Sequence, residues 1–147
     1  MTQLVPYVRQ PGWVAHDELL HALRTCATDF DIVALDDVAS DRLADVDVAI
    51  VDGATAQQLA ALPNLRWVQS TWAGVDVLLG ELPEHIRIAR MIDPQLTETM
   101  CEAALAWTLY LHRDMPRYAR QQRVAEWRIH PPVKARERRI GVIGLGV

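Results

Sequence analysis

Two short stretches of this 147-residue chain carry residue types and spacing suited to binding chemistry. Near the end, Ile140-Gly141-Val142-Ile143 reads as a short buried strand, and Gly144-Leu145-Gly146 then opens a G-x-G-x-x-G turn. Glycines in such a turn let the backbone approach a pyrophosphate at a helix start, which is how nicotinamide and flavin dinucleotides are held. The third glycine would fall two positions past Val147, so these residues are expected to hold only part of such a site. Earlier, Ser70-Thr71-Trp72-Ala73-Gly74-Val75-Asp76 lies between a strand-like run and a helical turn. Successive backbone N–H groups at such a place can hold an anion, with a carboxylate as the natural guest. A plain tight turn is the competing reading of that loop.

Other polar clusters promise less. His16 and His21 are five apart and do not share a helix face, so ordinary surface histidines are expected rather than metal ligands. Asp36, Asp37, Asp41, Asp45 and Asp47 lack the central glycine of a calcium loop and read as a solvated acidic segment. Ser40 and Ser70 sit in no nucleophile elbow. Arg117, Arg120 and Arg123 recur at three-residue steps, as on a solvated helix face. Cys26 and Cys101 match no metal or redox spacing and are expected to be buried, reduced thiols.

Half of the residues are hydrophobic and the net charge is −4, the balance of a globular chain with a real core. Charge is uneven. Residues 1–90 hold 6 Arg against 13 Asp or Glu, net −7; residues 91–147 hold 9 Lys or Arg against 6 Asp or Glu, net +3. An acidic chain without a stripe of interleaved aromatic and basic residues is a poor nucleic-acid binder. Met1 to Leu4 lacks the basic start of a signal peptide. No apolar run approaches the ~20 residues of a membrane span. A soluble, cytoplasmic protein without membrane or nucleic-acid partners is expected.

Stepping along the chain, strands are expected at 4–8, 30–35, 46–51, 65–70 and 86–92, with helical stretches at 13–27, 55–62 and 75–79 between them. Pro6 cannot donate to a ladder, which argues for a strand start or a locally free N–H position. One helical turn is expected at 41–44. Strand and helix alternating with short connections imply an α/β fold, a doubly wound parallel sheet of flavodoxin-like order 2-1-3-4-5. Ligands in such sheets sit past the carboxyl ends of the strands, where Asp52-Gly53 and the 70–76 loop emerge. Residue 92 ends this first unit. Asp93-Pro94 signals a helix start, Asp93 as cap and Pro94 at the first position, with Thr97 a rival cap. The helix at 95–112 is apolar nearly all round (Leu96, Met100, Leu105, Trp107, Leu109 and Leu111 among others), so it requires a second domain or subunit. A more polar helix is expected at 115–127, then a charged linker and a strand at 139–143.

The stretch from Leu65 through Asp76 resembles the substrate loop of the D-isomer-specific 2-hydroxyacid dehydrogenases. The helix containing Glu102, the segment 117–127 and Arg138-Arg139-Ile140-Gly141-Val142-Ile143-Gly144-Leu145-Gly146 recur there in the same order. The nearest branch is the glyoxylate/hydroxypyruvate reductases, and the resemblance runs from about residue 40 onward. It implies a substrate domain over 1–92 and the start of a Rossmann cofactor domain over 93–147, the latter built from the crossing helix 95–112, the helix 115–127 and the first strand 139–143. It also implies that backbone near Trp72, Ala73, Gly74 and Val75 binds the 2-oxo acid, and that Gly144 and Gly146 approach the pyrophosphate of NAD or NADP. Most members carry glycine where Trp72 stands, so the pocket wall is expected to differ here: Trp72 narrows the site or shields it from water, the competing reading being a ring packed on the surface. The family's catalytic Arg, Glu and His come from later segments and have no counterpart here; His112 and Arg113 belong to the crossing helix.

The resemblance therefore implies the N-terminal portion of an NAD(P)-dependent oxidoreductase that moves hydride between the cofactor and a small 2-oxo or 2-hydroxy acid. The isolated chain is expected to be inactive and to associate as a homodimer or larger. The alternative is a complete, non-catalytic flavodoxin-like domain that binds a carboxylate or a partner chain.

Overall fold

The computed structural model describes residues 2–10, 12 and 16–144, which form two compact units, Met1–Ile92 and Asp93–Val147. The first unit is a five-stranded, all-parallel sheet. Its strands are β1 (Gln3–Arg9), β2 (Phe30–Ala34), β3 (Val48–Asp52), β4 (Trp67–Ser70) and β5 (Arg87–Ala89), in the order β2-β1-β3-β4-β5. This is the 2-1-3-4-5 order expected of the alternating pattern. Helices α1 (His16–Cys26), α2 (Ala56–Leu59) and α3 (Asp76–Glu81) join the strands, and two 3-10 segments, Leu35–Asp37 and Ser40–Asp45, occupy the acidic stretch where one turn was expected.

Side-chain alternation along the strands splits the core into two layers. Leu4 and Val8 of β1, Ala49 and Val51 of β3 and Val68 of β4 face one layer, joined by Leu59 of α2 and Leu78 of α3. Val5 and Tyr7 of β1 and Ile32 of β2 face the other, under Leu19, Leu20 and Leu23 of α1. Both faces of β1 are thus buried, which is why its sequence is a continuous apolar run rather than an alternation. Pro6 stands inside β1 rather than at its start; the register with β3 begins one residue later, at Tyr7 opposite Ile50. The expected part of the first helix at 13–15 and the side chain of His16 lie outside the described residues.

The short connections are locally encoded. Thr55 caps α2 with a full capping box: its side chain accepts from the Gln58 N–H while the Gln58 side chain accepts from the Thr55 N–H. Pro63 follows soon after the helix end.

The second unit contains α4 (Pro94–His112) and α5 (Met115–Arg123). Asp93 is the cap of α4, its side chain accepting from Gln95 N–H at 2.9 Å; Thr97 lies inside the helix. Leu105, Trp107, Leu109 and Leu111 are all more than half exposed. No helix among the described residues is long and apolar enough to cross a membrane. α5 ends at Arg123, four residues short of its expected end. Ala125 adopts a left-handed φ of 52°, Glu126 N–H returns to Gln121 C=O, and Gln121 Nε2 donates to Arg128 C=O at 3.0 Å. These bonds terminate the helix as a C-cap does, though no glycine marks the place.

The strand expected at 139–143 is not formed. Ile140, Val142 and Ile143 are exposed, and no strand of the second unit stands beside them among the described residues. A strand exists by pairing, and an apolar run without a neighbour has nothing to pair with. The two cysteines are also not buried: Cys26 ends α1 and Cys101 lies on α4, both exposed.

Candidate functional site

The 70–76 loop and the Asp52-Gly53 turn meet at the carboxyl ends of β3 and β4, and Gln10 joins them from the end of β1. Together they line an open cleft of about 470 Å3, whose wall includes Gly53, Ser70, Trp72, Gly74, Val75 and Asp76. This is the edge of a parallel sheet at which ligands are held. A larger cleft, about 600 Å3, runs along α5 between Tyr118 and Ile129 in the second unit. Glu126 and Arg128 are among its lining, but it has no strand ends and none of the residues expected to bind substrate or cofactor, so size does not decide between the two.

Within the loop, Thr71 N–H donates to Val51 C=O at 2.9 Å, and Trp72 N–H donates to Ser70 Oγ at 3.0 Å. Trp72 C=O accepts from Met91 N–H at 3.1 Å, tying the loop to the stretch after β5. The next three amides, of Ala73, Gly74 and Val75, have no hydrogen-bond partner among the described residues. Three successive unsatisfied donors beside a cleft are the feature a carboxylate would satisfy. Gly74 has an ordinary φ, and an added Cβ would meet only Asp76 Oδ2, at 3.9 Å. Its lack of a side chain is therefore not required by its protein neighbours.

A buried carboxylate beneath the loop was not singled out by sequence. Asp52, at the end of β3, is only 7% exposed and accepts hydrogen bonds from at least three side chains. Tyr7 Oη donates to Oδ2 at 2.8 Å, while Thr71 Oγ1 at 2.9 Å and Trp72 Nε1 at 2.6 Å donate to Oδ1. Three donors converge on this carboxyl group, and bonds to a carboxylate are of the stronger, charge-assisted kind. Burial, and then the bond to Asp52, push the Tyr7 phenol well above the ordinary tyrosine range, so Tyr7 stays a donor. The sequence offered one sign of this arrangement, an Asp-Gly pair at the end of an apolar strand, which also reads as a plain turn.

Gly53, next to Asp52, has φ +66° and sits under the Trp72 ring. A Cβ there would lie 2.8 Å from Trp72 Cζ2 and 3.0 Å from Gln10 Oε1, closer than atoms pack. Glycine is thus required at 53 on two counts, and Trp72, 42% exposed, is not a ring resting loosely on the surface.

Gly144 has φ +80°, a backbone conformation that glycine adopts readily, with open space around its Cβ position; Gly146 lies outside the described residues. No group of three or more potential metal ligands occurs among the described residues. The acidic segment is no such group, and Arg117, Arg120 and Arg123 lie on α5 of the second unit.

No protein-family model matches the chain. It is 31% identical over 108 residues to glyoxylate/hydroxypyruvate reductase A of Yersinia enterocolitica, an alignment covering 69% of this chain and 34% of that relative. Its fold matches a D-isomer specific 2-hydroxyacid dehydrogenase from Xanthobacter autotrophicus Py2, solved with NADPH and MES, at TM-score 0.71 and 30% identity. That match covers 96% of this chain and 46% of the other. An NADPH-dependent glyoxylate/hydroxypyruvate reductase from Sinorhizobium meliloti, solved with NADP and sulfate, matches at TM-score 0.68 and 25% identity, over 89% of this chain and 42% of that one. The chain spans between a third and a half of the length of these proteins. In sequence and in fold, it is a relative of the D-isomer-specific 2-hydroxyacid dehydrogenases, corresponding to the N-terminal part of their length.

Proposed function

We propose that the cleft between the Asp52-Gly53 turn and the 70–76 loop holds the carboxylate of a small 2-oxo or 2-hydroxy acid, as the substrate side of a nicotinamide-dependent reductase. The observation that carries this reading is the run of three unpartnered amides, Ala73, Gly74 and Val75, beside the cleft. The substrate carboxylate accepts from these amides, and its C2 carbonyl then projects into the cleft beside Trp72. A nicotinamide cofactor, when bound, would supply or receive the hydride at C2, and Gly144 and Gly146 are the residues of this chain that would approach its pyrophosphate. The choice between NAD and NADP rests on residues outside this turn.

Reducing a ketone also requires a proton at the carbonyl oxygen. Among the described residues, the only ionisable side chain on the cleft wall is that of Asp76. It offers no cation to orient the acid and opposes an anionic guest by like charge. These 147 residues therefore bind weakly and do not turn over. Titration calorimetry with oxalate, a planar mimic of a 2-oxo acid, should give a dissociation constant of roughly millimolar order. Glyoxylate with NADPH should give no steady loss of cofactor absorbance. Lack of any oxalate binding would overturn the site, and sustained cofactor oxidation would overturn the claim of inactivity.

The partner of the apolar helix α4 is, in the same proposal, a second copy of the chain. Met100, Leu105, Trp107, Leu109 and Leu111 are more than half exposed, a concentration of apolar surface that monomeric proteins avoid. Sedimentation equilibrium should show a dimer or larger species. The double substitution Leu105→Glu and Leu109→Glu should shift it to monomer. A wild-type chain that remains monomeric at high concentration contradicts this.

A further inference from the structure

We infer that Asp52 is a positioning residue that holds the Trp72 indole across Gly53, and that the ring so held limits the cleft to 2-oxo acids with a small substituent on C2. The inference rests on the carboxylate-site reading above and deepens it by naming what sets the size of the substrate.

An indole 42% exposed at the mouth of a cleft would ordinarily sample several rotamers. In Trp72 the backbone is tied at two points and the ring at its nitrogen. Its N–H donates to Ser70 Oγ, its carbonyl accepts from Met91 N–H, and its ring nitrogen donates to Asp52 Oδ1 at 2.6 Å. The acceptor is itself fixed: Tyr7 Oη holds the other carboxylate oxygen from β1, and Thr71 Oγ1 shares Oδ1. The far edge of the ring, Cζ2 and Cη2, lies 2.8 and 3.1 Å from where a side chain at position 53 would begin. The ring therefore lies across the gap between the loops after β3 and β4, the two loops that form the cleft. Gly53 has no side chain because the ring occupies that space. The same carboxylate thus ties β1, β3 and the substrate loop together and sets the position of the wall.

Two readouts on the 147-residue chain separate this inference from the reading on which it rests. The first is the Trp72 indole N–H in a proton–nitrogen correlation spectrum, assigned by its loss in Trp72→Phe. It should resonate downfield and exchange slowly, and in Asp52→Asn it should move upfield and exchange about tenfold faster, since the charged acceptor is gone. The second is binding of glyoxylate, pyruvate, 2-oxobutyrate and 4-methyl-2-oxopentanoate. Wild type should favour glyoxylate over the branched acid by at least about tenfold, the scale on which a tight wall rejects added methylenes. Trp72→Gly should lose that preference, and Asp52→Asn should reduce it, with circular dichroism showing that each variant is folded. Unchanged discrimination in both variants, or an indole N–H that exchanges as fast as a free one, overturns the inference while leaving the carboxylate site intact. Absence of binding by every protein and every acid overturns the carboxylate site, and the inference with it.

Discussion

Replacing Gly53 with alanine is expected to destabilise the first unit by about 2–4 kcal/mol. The left-handed φ of +66° accounts for about 1–2 kcal/mol of this, because a Cβ there crowds the adjoining carbonyl. The remainder comes from the Trp72 ring, 2.8 Å from the new methyl group. The ring is partly exposed and can swing outward, but doing so breaks its bond to Asp52. Relief of the clash therefore costs a charge-assisted hydrogen bond instead of removing the penalty. Urea unfolding followed by circular dichroism measures the difference. Gly80→Ala in α3 is the control, since a Cβ there meets nothing within 4 Å and φ is ordinary. It should leave stability unchanged or raise it by up to about 1 kcal/mol. A Gly53→Ala chain as stable as the Gly80→Ala control would mean that the ring does not lie on Gly53.

Removing the Asp52 carboxylate is expected to be comparably damaging. Asp52→Ala takes the acceptor from Tyr7 Oη, Thr71 Oγ1 and Trp72 Nε1 at once, and Tyr7 is almost wholly buried. A buried donor that loses its acceptor costs about 1–3 kcal/mol, and Thr71 has an alternative at hand, Val51 C=O at 3.2 Å. The expected loss is about 2–4 kcal/mol. Asp52→Asn keeps an oxygen for Trp72 and Thr71 and should lose only about 1 kcal/mol, the part owed to charge. Tyr7→Phe removes one donor and leaves the other two, so its effect should fall between wild type and Asp52→Ala. Equal stabilities for wild type and Asp52→Ala would show that the network carries no energy.

These two residues also show where reading from sequence stops. Alternation and apolar runs specify β1 through β4 well, because both faces of the sheet are covered and each strand must be apolar or alternate accordingly. Asp93-Pro94 specifies the start of α4 because the cap and the first-turn proline are local chemistry. The 70–76 loop follows from its place between a strand and a helical turn. Asp52 is different: its donors come from position 7, 45 residues away, and from positions 71 and 72 across a neighbouring strand, and no local pattern links them. Gly74 drew attention as the glycine of the loop, yet Gly53 is the one that a ring excludes from having a side chain. The run at 139–143 has the composition of a strand but no neighbour to pair with among the described residues, and composition does not supply a neighbour. Cys101 looks like a core thiol because α4 is apolar all round, but apolar surface is buried only where something covers it.

The central claim is that the backbone between Trp72 and Asp76 receives a carboxylate. Amide chemical shifts of the nitrogen-15-labelled chain, followed during titration with oxalate, test it residue by residue. The largest changes are expected at the amides of Ala73, Gly74 and Val75, with smaller ones at Gly53 and the Trp72 indole. Changes absent there, or concentrated along α5 between Tyr118 and Ile129, would contradict it.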